Sequence, residues 1–187
     1  MERTALLSPC GRYRYRLSRR WAQGPSALWI MLNPSTADDR RDDPTIRRCI
    51  GFSRAWGFGA MEVVNLFALR TPHTRTLAAA AHPVGADNDR HICDASSQAT
   101  LIIAAWGAWA AARGRDHEVL GLLHQPLWCL GRTASGSPRH PLYLPRRSRR
   151  RPFSGETPYS PRSLKKRLIS NRTSSGLPSA PVASMTS

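Results

Sequence analysis

The stretch Ala27-Leu28-Trp29-Ile30-Met31-Leu32, followed at once by Asn33-Pro34, decides how this chain folds. Six consecutive apolar residues without polar alternation describe a β-strand buried on both faces, and the proline stops it because its ring fixes φ and removes a donor. Such a strand sits at the centre of a sheet covered by helices. Similar apolar runs at residues 61–69, 100–107 and 127–130 predict three more strands. Between them, Asp43 reads as an N-cap with Pro44 at the first helical position. Ile46, Cys49, Ile50, Phe52 and Trp56 share a face, predicting a helix over 44–56. A short helical excursion near Leu77, a helix capped by Asp87-Asn88-Asp89, and helical structure over 108–112 and 117–123 complete the alternation. Upstream, Arg12, Arg14 and Arg16 alternate with Tyr13, Tyr15 and Leu17, the period of an edge strand with its arginines outward. The element order predicts an α/β fold, three-layer α/β/α with a mostly parallel central sheet of about four strands.

The 187 residues, 41% of them hydrophobic, suit one core of ordinary size. The formal charge of +16 is uneven, since residues 145–187 hold ten of the 28 basic side chains and one of the 12 acidic ones. Residues 1–144 therefore read as the domain. Residues 145–187, rich in Arg, Ser and Pro, read as a disordered tail too poor in large apolar groups to offset ordering entropy, with a transient basic helix at 164–169. The tail's arginines suit salt-sensitive nucleic-acid binding, and equally a chain end under little structural constraint or a shifted reading frame. Nearly all cations are arginine, which fits phosphate recognition or GC-rich coding. Cys10, Cys49, Cys93 and Cys129 are widely spaced without a C-x-x-C pair, so buried or incidental thiols in a reducing compartment are expected. No signal-peptide core and no apolar run of membrane-spanning length is present, and the expected location is the cytoplasm.

The motifs are Asn33-Pro34-Ser35-Thr36-Ala37, Asp43-Pro44-Thr45, Asn65-Leu66-Phe67, Asn88-Asp89, Trp106-Gly107 and Pro138-Arg139-His140-Pro141-Leu142-Tyr143. In that order they resemble the pattern of the uncharacterised domain family DUF1643, which implies no established chemistry. More distantly, the chain resembles the uracil-DNA glycosylase superfamily. Asn33-Pro34 looks like its water-positioning strand end, Asn65 like the amide that reads a base edge, Trp106-Gly107 like the pair before a helix, and His140-Pro141 like the motif that stabilises the leaving base. That resemblance implies a glycosylase-like fold, and a nucleobase, nucleotide or nucleic acid as partner.

The residue types suit such chemistry. Breaking an N-glycosidic bond builds negative charge on the base, which a neutral His140 imidazole can stabilise while Asn33 holds water. Asn65 can read a Watson-Crick edge, and Phe67 and Trp106 can flank an extruded base. Backbone amides near Ser35 and Thr36 can receive phosphate, as can Arg47, Arg70 and Arg139, and Thr45 can line the cleft. Leu142 stands where the glycosylases carry serine and reads as an apolar wedge. Each has a plainer alternative: a turn at Asn33-Pro34, a loop histidine, a satisfied strand end at Asn65, core packing for Phe67 and Trp106, and a helix start at Thr45. Asp38, Asp39, Asp42 and Asp43 form a cap-rich loop or a divalent-cation site for phosphoester hydrolysis. The expected activity is N-glycosidic hydrolysis without metal or organic cofactor, with a non-catalytic nucleotide-binding or nucleic-acid-binding module as the alternative.

Overall fold

The computed structural model describes residues 1–109 and 114–154. Seven strands, β1 (Glu2–Leu7), β2 (Arg14–Arg20), β3 (Ser26–Met31), β4 (Ala60–Asn65), β5 (Leu101–Ala104), β6 (Leu127–Cys129) and β7 (Arg151–Phe153), form one sheet in the order β1-β2-β4-β3-β5-β6-β7. The helices described are α1 (Pro44–Ala55), α2 (Thr74–Ala79), α3 (Asn88–Gln98) and α4 (Arg115–Leu122). The apolar stretch at 27–32 supplies β3, which pairs in parallel with β4 on one side and β5 on the other.

The expectation of a three-layer fold around about four mostly parallel strands, with its glycosylase-like form, is corrected by this topology. The sheet is mixed and has seven strands, with antiparallel pairings of β1 to β2, β2 to β4 and β6 to β7. β2 is the strand that the alternation at 12–17 predicts, whereas β1 and β7 carry weak signals, β1 being almost wholly exposed and β7 three residues long within a basic segment. Nor is β2 an edge strand with outward arginines, since it lies between β1 and β4 with Arg14 and Arg19 buried. Arg19 can be buried because Asp42 accepts from its Nε at 2.7 Å and the carbonyls of Ser18 and Asp38 accept from its terminal nitrogens. A buried guanidinium needs such partners to offset its desolvation.

The sheet buries alternate residues on its two faces. On one, Ala27, Trp29, Met31, Val63 and Ile103 pack with Ile46, Cys49 and Phe52 of α1. On the other, Leu28, Ile30, Val64 and Ile102 meet Leu77, Ile92 and Val119 from α2, α3 and α4. Helix α1 starts as its sequence dictates, with Asp43 accepting from Ile46 N at 2.8 Å and Pro44 in the first turn. Trp29 donates to Ser53 Oγ at 3.0 Å and stacks on Trp56, which locks α1 against β3.

Residues 145–154 belong to the sheet-bearing unit, because β7 pairs with β6 and Phe153 is buried edge-on against Trp106, ring centroids 5.6 Å apart. The basic segment 155–187, with the helix expected at 164–169, and most of the helix start expected at 108–112 lie outside the described residues. Among those described, no helix is long and apolar enough to cross a membrane.

Candidate functional site

The parallel strands β3, β4 and β5 end level with one another, since Met31 pairs with Asn65 and Ile30 with Ala104. The loops after them emerge on one edge, where ligands bind in open α/β sheets. Three backbone bonds keep the loops after β3 and β4 together: Leu66 N to Met31 O, Phe67 N to Leu32 O, and Thr71 N to Pro34 O. The Asn33 side chain adds to this seam by donating Nδ2 to Thr71 O at 2.7 Å and to Pro34 O at 3.0 Å. Because β2 runs antiparallel to β4, its first residue, Arg14, arrives at the same edge.

A cavity of about 160 Å³ lies there, and its polar lining includes Arg14, Asn33, Ser35, Asp43, Thr45, Asn65, Thr71 and His140. Five sequence-predicted residues thus meet: Asn33, Ser35, Thr45, Asn65 and His140. Arg14 donates from its terminal nitrogens to Ala37 O at 2.8 Å and to Asn65 Oδ1 at 3.1 Å. An arginine only donates, so the Asn65 amide must turn its oxygen to Arg14. The Arg14 Nε is buried without a partner among the described residues. Burial pulls the Arg14 guanidinium down to about 10, with Asp43 opposing the shift, so it is charged at neutral pH.

His140 is set by the chain on either side of it. Arg139 N donates to Gly131 O, and Gly107 N donates to Pro138 O. Gly107 occupies the left-handed region at φ +79°, a conformation glycine adopts without strain, with His140 Cβ beside it. Leu142 N donates to His140 Nδ1 at 3.3 Å, opening the 3₁₀ turn Pro141–Tyr143. A ring nitrogen that accepts carries no proton, so the neutral ring bears its proton on Nε2. Burial lowers the His140 pKa and Asp43 partly restores it, which favours that neutral form.

The other predicted residues lie elsewhere. Thr36, with Ser35, lines an adjoining groove of about 450 Å³ bordered by Arg12, Arg41 and Arg70, and Ser35, Thr71 and Pro72 are common to groove and cavity. Leu142 lines a different groove beside α1. Phe67 and Trp106 are core residues, each about 2% exposed, and Arg139 is on the surface. The carboxylates of the 38–43 loop act separately. Asp42 pairs with Arg19 and Arg3, Asp43 caps α1, and Asp38 accepts from the backbone of Arg40 and Arg41, whose N–H groups hold its pKa down. Among the described residues, no three metal-ligating side chains cluster.

Sequence reasoning missed Arg14 and gave Asp43 a capping role or a share in a divalent-cation site, not a place in this cavity. The clue to Arg14 would have been the antiparallel pairing of β2 with β4, which no local pattern announces. Behind the cavity, Asn88 is buried and donates Nδ2 to Asn65 O at 2.9 Å and Leu66 O at 3.1 Å, while Arg115 Nε donates to Leu66 O at 2.9 Å and its Nη2 pairs with Asp89. The Asn88-Asp89 motif therefore fixes the end of β4 from which Asn65 projects.

No curated protein and no solved structure matches the chain. A family model described as a protein of unknown function, DUF1643, matches residues 14–142, from Arg14 through every cavity-lining side chain named above to Leu142. Covering most of the sequence, that match makes the chain a member of the DUF1643 family.

Proposed function

We propose that the cavity binds a nucleobase, with the attached phosphate in the adjoining arginine groove. The observation that carries this reading is the continuity of a small, polar cavity with a cationic groove through shared Ser35, Thr71 and Pro72. A base presents acceptors and donors on one edge. The cavity answers with the His140 Nε2 proton and the Asn65 amide. Arg12, Arg41 and Arg70 suit a phosphate, and Thr36 adds a hydroxyl.

The same arrangement supports hydrolysis of the N-glycosidic bond. The Asn33 amide nitrogen is engaged by two carbonyls, so Asp43 is the group we assign to take a proton from water as its oxygen attacks the anomeric carbon. The bond to the base breaks, its electron pair leaves with the base, and His140 Nε2–H stabilises the negative charge.

The test is calorimetric titration of nucleoside 5′-monophosphates, with chromatography of any free base released from nucleotides and from strands carrying uracil or hypoxanthine. Binding that His140→Ala weakens is the expected result. Base release should fall in that variant on the order of 100-fold. Binding without release reduces the reading to a nucleotide-binding module, and no binding of any nucleotide contradicts it.

A further inference from the structure

A second cationic groove, of about 570 Å³, is lined by residues of the same segments as the cavity, 43–48 and 140–142, and shares no lining residue with it. Alternate residues of the same two segments face the two spaces. Asp43, Thr45, Ile46 and His140 line the cavity, whereas Pro44, Arg47 and Leu142 line this groove together with Arg48 and Arg146. Arg146 is exposed, and Arg48, with its guanidinium 4.9 Å from the Phe52 ring centre, has a buried Nε without a partner among the described residues. Tyr143, which follows the groove-lining Leu142 in the chain, is 87% exposed and offers an open aromatic ring.

A mononucleotide occupies one cavity and one groove, which leaves this second groove and its exposed tyrosine unused. A strand of several nucleotides, passing over the 43–48 and 140–142 segments that line both spaces, uses both. Cationic grooves with an aromatic platform are how single strands are held, because phosphates follow the arginines and every base has a face to stack. A duplex fits less well. Its base would have to be extruded to enter the cavity, which costs unstacking and unpairing that a single strand avoids.

We propose that the ligand is a single-stranded nucleic acid, one base in the cavity, its backbone running through both arginine grooves, and a neighbouring base stacked on Tyr143. This rests on the nucleotide-binding reading above and adds its substrate class. The test is fluorescence anisotropy on the full chain at about 150 mM salt, using a labelled single strand of roughly ten nucleotides, the matching duplex, and competition by a nucleoside 5′-monophosphate. Arg146→Glu changes an exposed side chain of the second groove and Tyr143→Ala the exposed ring one residue beyond its Leu142, neither lining the cavity or the first groove, and the segment 155–187 is common to all proteins compared. Each variant should weaken single-strand binding about tenfold and leave mononucleotide binding unchanged. Mononucleotide binding with a single strand that binds no tighter, or that neither variant weakens, overturns the single-strand proposal and leaves the nucleotide reading standing. Duplex binding as tight as the single strand also overturns it. Absence of both mononucleotide and strand binding overturns the two together.

Discussion

His140 accepts from Leu142 N at Nδ1, and a protonated ring would lose that bond and place two donors face to face. Its folded pKa lies below the ordinary 6.5 because burial disfavours the charge. Between those two values the unfolded chain binds more protons than the folded one, so stability rises with pH across that window and is flat above it. Urea midpoints measured between about pH 5 and 7 should fall on acidification, and His140→Gln should flatten part of the slope. His91, whose pKa burial also lowers, keeps its own share. Arg14 presents a different balance, since it carries a desolvated charge and an unpartnered Nε while holding Asn65 and Ala37. Arg14→Met should change stability by no more than about 1 kcal/mol, because losing those bonds is offset by removing the buried charge. Nucleotide affinity should fall on the order of tenfold, because the Asn65 amide loses the charged donor that orients it. A large stability loss with intact binding would make Arg14 a strut instead. Asn88→Ala, by contrast, removes two bonds to buried carbonyls and should cost about 2 kcal/mol in denaturant unfolding.

Among the elements, β7 is the clearest test of where the folded unit ends. Phe153 covers Trp106, and Arg132 lies over the Phe153 ring at 4.7 Å. Phe153→Ala should destabilise by about 3 kcal/mol. Ending the chain at residue 144 should lower the thermal midpoint by on the order of 5–10 °C relative to ending it at 155; equal midpoints would mean that β7 adds nothing. The reason the sequence alone placed the boundary at 144 is the composition of 145–154, where one phenylalanine stands among arginines and prolines. β3 was legible because an unbroken apolar run has one plausible place, and α1 because Asp43-Pro44 precedes an apolar face. β1 was not, and β2 was legible as a strand but not in its place between β1 and β4, since antiparallel pairing is a long-range choice. The same gap hid Arg14, whose local pattern reads as surface. Asn33, Asn65 and His140 were found as strand-end and turn residues, but only the three-dimensional arrangement separates them from Phe67 and Trp106, which fill the core.

At the scale of the molecule, a polar cavity that holds the Arg14 guanidinium, the Asp43 carboxylate and the His140 ring adjoins an arginine groove through Ser35, Thr71 and Pro72. Association should weaken as salt rises, and Arg12→Gln should reduce the slope of log affinity against log salt by about one without selecting among bases. Asn65 substitutions should instead alter which base is preferred, since base contacts carry identity and phosphate contacts carry position. The most direct test of the central claim is the ¹⁵N spectrum of the His140 ring at neutral pH, recorded during titration with a nucleoside 5′-monophosphate. The account predicts an unprotonated Nδ1 and a protonated Nε2 in the free protein, with the Nε2 signal shifting saturably as the base accepts its proton in a hydrogen bond. A ring signal unmoved by saturating nucleotide, or a proton found on Nδ1, would contradict it.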